Sequence, residues 1–248
     1  MPPDFLLMLA GAMVAGFVQG ISGFAFAMVA MSFWVWGIEP RTAAVLALFG
    51  SISGQLMAAF SVRRSPHWAV LLPMLAGGLL GIPLGVHVLP RVNPDLFKLG
   101  LGLLLVLWCP TMLFAPSLPR ITHGGRVADG LIGAIGGVMG GLGGFTGVVP
   151  TLWCTLRGWD KTLQRTVIQN FNLATQLVTA VAYLSTGAVT MAMLPRFAVV
   201  VPAVMLMAFL GTRVYVGLSD LAFRRIVLAT LTASGATMLV SSVSRLLR

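Results

Sequence analysis

An apolar run over residues 5–36 is interrupted by Gly20-Ile21-Ser22-Gly23-Phe24, and a second, over 127–157, is interrupted in the same way by Gly141-Leu142-Gly143-Gly144-Phe145. The offset between the two is 121 residues, Gly141 minus Gly20. As one unbroken helix, the 32 residues of the first run would measure ~48 Å, far more than the ~30 Å hydrocarbon core of a bilayer. Each run therefore has to break, and glycine permits the backbone angles that a break inside a membrane requires. Paired interruptions at corresponding places in a duplicated chain point to a transporter's binding site.

The rest of the chain fits a membrane setting. Six further apolar runs lie at about 41–61, 68–89, 96–117, 162–186, 191–212 and 220–243, most of them the length of a bilayer crossing. Hydrophobic residues make up 58% of the chain and charged residues 9%, against roughly 25% charged in soluble domains. Such a chain cannot cover a surface facing water. The net charge of +10 sits between the apolar runs, so lipid headgroups are its expected partners and nucleic acid is not. Cys109 and Cys154 lie in apolar stretches outside any metal-ligand spacing and read as structural. The opening Met1-Pro2-Pro3-Asp4 lacks a basic region, so no cleaved signal peptide is expected.

The duplication extends past the glycines. At the same offset Gly16, Gly37, Gln55 and Ala59 match Gly137, Gly158, Gln176 and Ala180, and Glu39 pairs with Asp160. The chain is expected to be one all-α, polytopic membrane domain with about eight hydrophobic segments. These form two pseudo-repeats, 1–122 and 123–248, joined at His123-Gly124-Gly125. Glu39-Pro40, Asn93-Pro94-Asp95, Asp160 and Ser219-Asp220 read as helix starts. Broken in the middle, each long run has arms of ~24 Å and two possible courses. It spans once as a discontinuous helix, giving eight spans and parallel repeats, or it forms a re-entrant hairpin followed by three spans, giving inverted repeats. Basic residues divide 9 to 7 between the two sides in the first arrangement and 10 to 6 in the second. The positive-inside rule thus mildly favours hairpins, and both arrangements place the termini outside.

The candidate site gathers at the breaks. Gln19, Gly20, Ser22, Gly23 and Phe24 mark the first, and Gly143, Gly144, Phe145 and Thr146 the second. A helix arm starting at a break turns its N–H groups and positive dipole end into the cavity. The competing reading is that the glycines only allow tight helix packing. Ser51, Ser53 and Gln55 lie in the second run, and Asn170, Asn172 and Gln176 in the sixth. Polar residues at membrane depth face a cavity or bond neighbouring helices. Of these, Gln55, Asn170, Asn172 and Gln176 join the proposed substrate set. Arg165 joins it if it turns inward to meet an anion, and it otherwise snorkels to the interface, as Arg41 also could. All six acidic residues lie at or near segment ends, which leaves no carboxylate proton relay. No metal spacing, nucleophile elbow or phosphate loop is present, so no enzyme activity, metal or cofactor is expected.

These residues resemble the sulfite exporter TauE/SafE family of small bacterial inner-membrane permeases. The resemblance covers nearly the whole chain and is carried by Gly16–Phe24, Gly136–Pro150 and Gly81-Ile82-Pro83-Leu84-Gly85 ahead of Phe97-Lys98. One departure is that the family's glycine run is fuller in the second half here than in the first, where Ala25-Phe26-Ala27 follows the break; this implies an asymmetric cavity. The resemblance implies export of a small anion, often sulfur-containing, such as sulfite, sulfoacetate or a related sulfonate. The basic balance and the lack of acids in mid-run agree with an anionic substrate. Two other readings stay open: a non-transporting assembly or lipid-handling component, with packed glycine contacts and no polar cavity, and a passive anion channel with an open pore. The sequence leaves open any coupling ion and whether the chain forms a homodimer.

Overall fold

A computed structural model describes residues 3–22, 25–61, 67–115, 120–121, 123–214 and 220–246. Gly23 and Phe24 lie outside the described residues. The described residues form ten α-helices and no strand: α1 Pro3–Ser22, α2 Phe26–Trp34, α3 Pro40–Ser61, α4 Trp68–Val88, α5 Pro94–Phe114, α6 Gly125–Gly143, α7 Val148–Leu156, α8 Lys161–Ser185, α9 Leu194–Val214 and α10 Asp220–Leu246. The helix starts read from sequence are explicit at two places. The Asn93 side chain accepts the Asp95 amide at 2.8 Å, with Pro94 in the first turn. Asp160 accepts the amides of Thr162 and Leu163 at 2.9 and 3.0 Å.

Both long runs fold back on themselves. The Trp34 indole at the end of α2 donates to the Met8 carbonyl near the start of α1 at 3.0 Å, and Gly37 lies against Asp4 and Leu7. In the second run, the Trp153 indole donates to Asp129 at 2.8 Å and Arg157 donates to the His123 carbonyl at 3.3 Å. A discontinuous helix running in one direction would put these ends far apart, so that course is ruled out for both runs. The expectation of equal arms is also corrected. The first arms have 20 and 19 residues, or ~30 Å, and the second arms have 9 each, or ~14 Å.

Among the described residues, five helical segments are long and apolar enough to cross a membrane: Asp4–Ser22, Trp68–Arg91, Pro94–Phe114, Met191–Arg213 and Arg225–Ser244. They expose large apolar side chains such as Leu80, Leu107, Leu206 and Val240, the surface that hydrocarbon requires. Helix α8 is as long but less apolar, because it buries Gln169, Asn172, Thr175, Gln176 and Thr179; α3 also buries polar residues, and α6 is rich in glycine. Gly77, Gly81 and Gly85 of α4 meet the carbonyls of Gly130, Ala134 and Val138 of α6 in parallel register. Gly16 and Gly20 of α1 likewise meet the carbonyls of Val204 and Ala208 of α9. Among lipid tails, where apolar surface gains little by association, such backbone proximity is the main source of helix affinity.

Candidate functional site

The two reversals are made differently. At the second, Gly144 takes the left-handed conformation (φ 76°), and the amides of Gly144 and Phe145 close onto the carbonyls of Gly140 and Met139. At the first, Ala25 is left-handed (φ 72°), a conformation that costs a residue with a Cβ about 1–2 kcal/mol; Gly23, the residue 121 before Gly144, lies outside the described residues. A second difference concerns the hydroxyl. At the repeat offset, Ala25 corresponds to Thr146, so only the second reversal places a hydroxyl at this position.

From these turns α2 and α7 start toward one buried cavity. Its wall comprises Ala25 to Met28, Gly144 to Val148, Ser51 and Gln55 of α3, and Asn172 and Gln176 of α8. Neither short helix has a side-chain cap at its N-terminus. In α2 the first bond of the helical ladder is Val29 N–H to the Ala25 carbonyl, 3.1 Å, so the amides of Phe26, Ala27 and Met28 have no acceptor inside the helix. Helix α7 offers fewer donors, because Pro150 has no N–H and the Val148 amide turns back to Phe145 at 3.2 Å. Both positive dipole ends nevertheless face the same space.

The polar side chains form one network. Gln176 Nε2 donates to Ser51 Oγ at 2.9 Å and to Thr146 Oγ1 at 3.2 Å. Thr146 Oγ1 donates to Asn172 Oδ1 at 3.0 Å. Thus α3, the second reversal and α8 are tied together across the cavity. Gln19 supports it from behind, with Nε2 donating to the Ser51 carbonyl at 2.9 Å. Two acceptors in the wall, Gln55 Oε1 and Gln176 Oε1, are buried without a partner. Among the described residues no ionisable side chain lines the cavity.

A family model described as Sulfite exporter TauE/SafE matches residues 8–238. The chain belongs to that family. It is therefore a multi-pass member of a membrane-transporter family. No curated protein and no solved structure matches it.

The other residues singled out in the sequence take varied places in this family member. Gln55, Gly144, Phe145, Thr146, Asn172 and Gln176 come together at the cavity. Gly20 instead packs on Ala208, and Gly143 sits under the Phe145 ring. Ser22 is half-buried at the end of α1, and Asn170 is half-buried outside the wall. Arg165 is exposed near the start of α8, where a long cationic side chain reaches the interface. Arg41 lines a separate cavity of about 240 Å³ with Glu39, Thr42 and Arg196, and donates to the Gly187 carbonyl at 2.7 Å.

Ser51 and the backbone of Ala25 to Met28 belong to the wall but not to the sequence-derived set. Ser51 lies 121 residues before Asn172, the offset that relates the two breaks. The amides leave no mark in the sequence, since every residue other than proline carries one.

Proposed function

We propose that the protein is a permease that moves a small sulfur-containing anion, sulfite or an organosulfonate such as sulfoacetate, out of the cell across the bacterial inner membrane. The observation that carries this reading is the convergence of two uncapped helix N-termini and a neutral polar network on one buried cavity. Oriented amide dipoles there stabilise negative charge without a fixed counter-ion. The reading takes 1–122 and 123–248 as inverted repeats, each a hairpin followed by three spans. The matched pairing of α4 with α6 and of α1 with α9 supports it, as does the common approach of α2 and α7. The cavity has a volume of about 20 Å³, room for one water. A four-atom oxyanion needs more, so the site must widen to load. So small a space favours a carrier over an open anion channel, and the polar wall favours transport over a purely packed assembly role.

The test is efflux of sulfite and of sulfoacetate from proteoliposomes containing the purified chain, against protein-free vesicles. Equal rates in the two preparations would remove the transport reading. The network makes a sharper prediction. Gln176→Leu keeps a side chain well tolerated in hydrocarbon but strips donors from Ser51 and Thr146, bonds worth about 0.5–1.5 kcal/mol each. Efflux should fall at least about tenfold, which is 1.4 kcal/mol, while membrane abundance stays normal. Full efflux at normal abundance would show that Gln176 only joins helices.

A further inference from the structure

The cavity wall has two kinds of hydrogen-bonding group, and the combination says more than that an anion binds. The donors are the first-turn amides of α2 and the dipole end of α7. The acceptors are Gln55 Oε1 and Gln176 Oε1, on residues 1% and 2% exposed, buried without partners and set in the same wall. An amide oxygen left unpaired in a buried place carries a desolvation penalty, so the bound species must bring a hydrogen to it. A fully deprotonated oxyanion presents acceptors only. It would satisfy the helix ends and leave the two carbonyl oxygens facing negative charge.

Charge points the same way. No lysine, arginine or histidine among the described residues lines the cavity; Arg165 is exposed, and Arg41 belongs to the separate cavity. Two short helix N-termini supply roughly half a positive charge each, enough to offset one negative charge. A second would stand uncompensated in a low-dielectric site, where ions without partners are very costly. We propose that the site selects a singly charged oxyanion that still carries a hydroxyl hydrogen, of the hydrogensulfite type, with its oxygens on the helix ends and its hydrogen on the amide oxygens of Gln55 and Gln176. This rests on the transport reading above and narrows it to hydrogensulfite-type monoanions, which excludes sulfoacetate, a dianion near neutral pH with no hydrogen on oxygen.

Three probes separate charge from hydrogen. Sulfite passes between hydrogensulfite and the dianion near neutral pH. Sulfate stays a dianion there, and methanesulfonate stays a monoanion with no hydrogen on oxygen. In proteoliposomes of the full chain, corrected for protein-free vesicles, sulfite efflux at fixed total concentration should fall as internal pH rises, approaching tenfold per unit once the dianion dominates. Sulfate should move at least a hundredfold more slowly than sulfite at the acidic end of the series. Methanesulfonate should be slower by about tenfold, the order expected when buried acceptors lose their donor.

Gln55→Leu removes one of those acceptors, so it should narrow the gap between sulfite and methanesulfonate. A dianion carried together with a separately bound proton gives the same pH dependence, but it leaves that gap unchanged in the variant. Sulfate as fast as sulfite, methanesulfonate equal to sulfite, or efflux indifferent to pH would each overturn the proposal. If Gln55→Leu fails to fold, the three probes on the wild-type chain still decide. If no probe, organosulfonates included, moves faster than in protein-free vesicles, it is the transport reading that fails.

Discussion

Replacing Gly81 with valine should abolish the assembled protein. A Cβ at Gly81 would fall on the Ala134 carbonyl oxygen and 2.9 Å from the Val138 nitrogen. Both are backbone atoms, so no rotamer change can relieve the clash. The same holds one turn away on each side, where Gly77 faces the Gly130 carbonyl and Gly85 that of Val138. From the opposite helix, Gly133, Gly137 and Gly141 sit on the carbonyls of Met74, Gly78 and Ile82. Two backbones in contact along this length gain dispersion and weak Cα–H···O contacts. Adding branched side-chain atoms costs about 1–3 kcal/mol even in a core that can adjust. Here the whole helix must shift.

The consequence reaches the site. Helix α6 carries Gly144 and Thr146 at its far end, and the Tyr183 hydroxyl ties the Gly141 carbonyl to α8 at 2.8 Å. Detergent-solubilised Gly81→Val should lose the monodisperse peak in size-exclusion chromatography. Gly100→Ala is the control: nothing lies within 4 Å of a Cβ there, and the change should be neutral or gain up to ~1 kcal/mol of helix propensity. A wild-type elution profile for Gly81→Val would mean that this contact does not hold the helices together.

The same glycines show where sequence reading stops. The breaks after Ser22 and Gly143 were legible, because long apolar runs must break and glycine marks where. The boundaries of α4, α5 and α9 were also close to hand, since their apolar runs end at capping or loop residues. The use of each glycine was not legible. Gly20 and Gly144 look alike in sequence, yet one seats a neighbouring carbonyl and the other turns the chain at positive φ. Only the face that a residue presents distinguishes packing from turning. A small bias in basic residues favours the hairpins, while the contacts that decide them, Trp34 on Met8 and Trp153 on Asp129, join positions with no periodic relation. Arg165 shows the reverse difficulty. Its position one turn into an apolar run favours a snorkelling side chain only slightly over an inward anion ligand.

The neutrality of the cavity has an energetic result. With no ionisable side chain in the wall among the described residues, the empty site carries no net charge, and the loaded site carries that of its substrate. The membrane potential then acts only on the loaded passage. For a monoanion leaving a cytoplasm at −100 mV the gain is ~2.3 kcal/mol, or roughly fifty-fold accumulation outside at equilibrium, since 1.4 kcal/mol is tenfold. Export so driven needs no coupling ion, whereas import would need one. Proteoliposomes loaded with sulfite, with potassium and valinomycin setting the potential and pH equal on both sides, provide the measurement. The outside-to-inside ratio at steady state should rise about tenfold for each ~60 mV of inside-negative potential. A ratio that ignores the potential and follows an imposed sodium gradient would replace uniport with a coupled mechanism. The coupling ion would then sit at the carbonyl groups of the breaks, where broken helices can hold one.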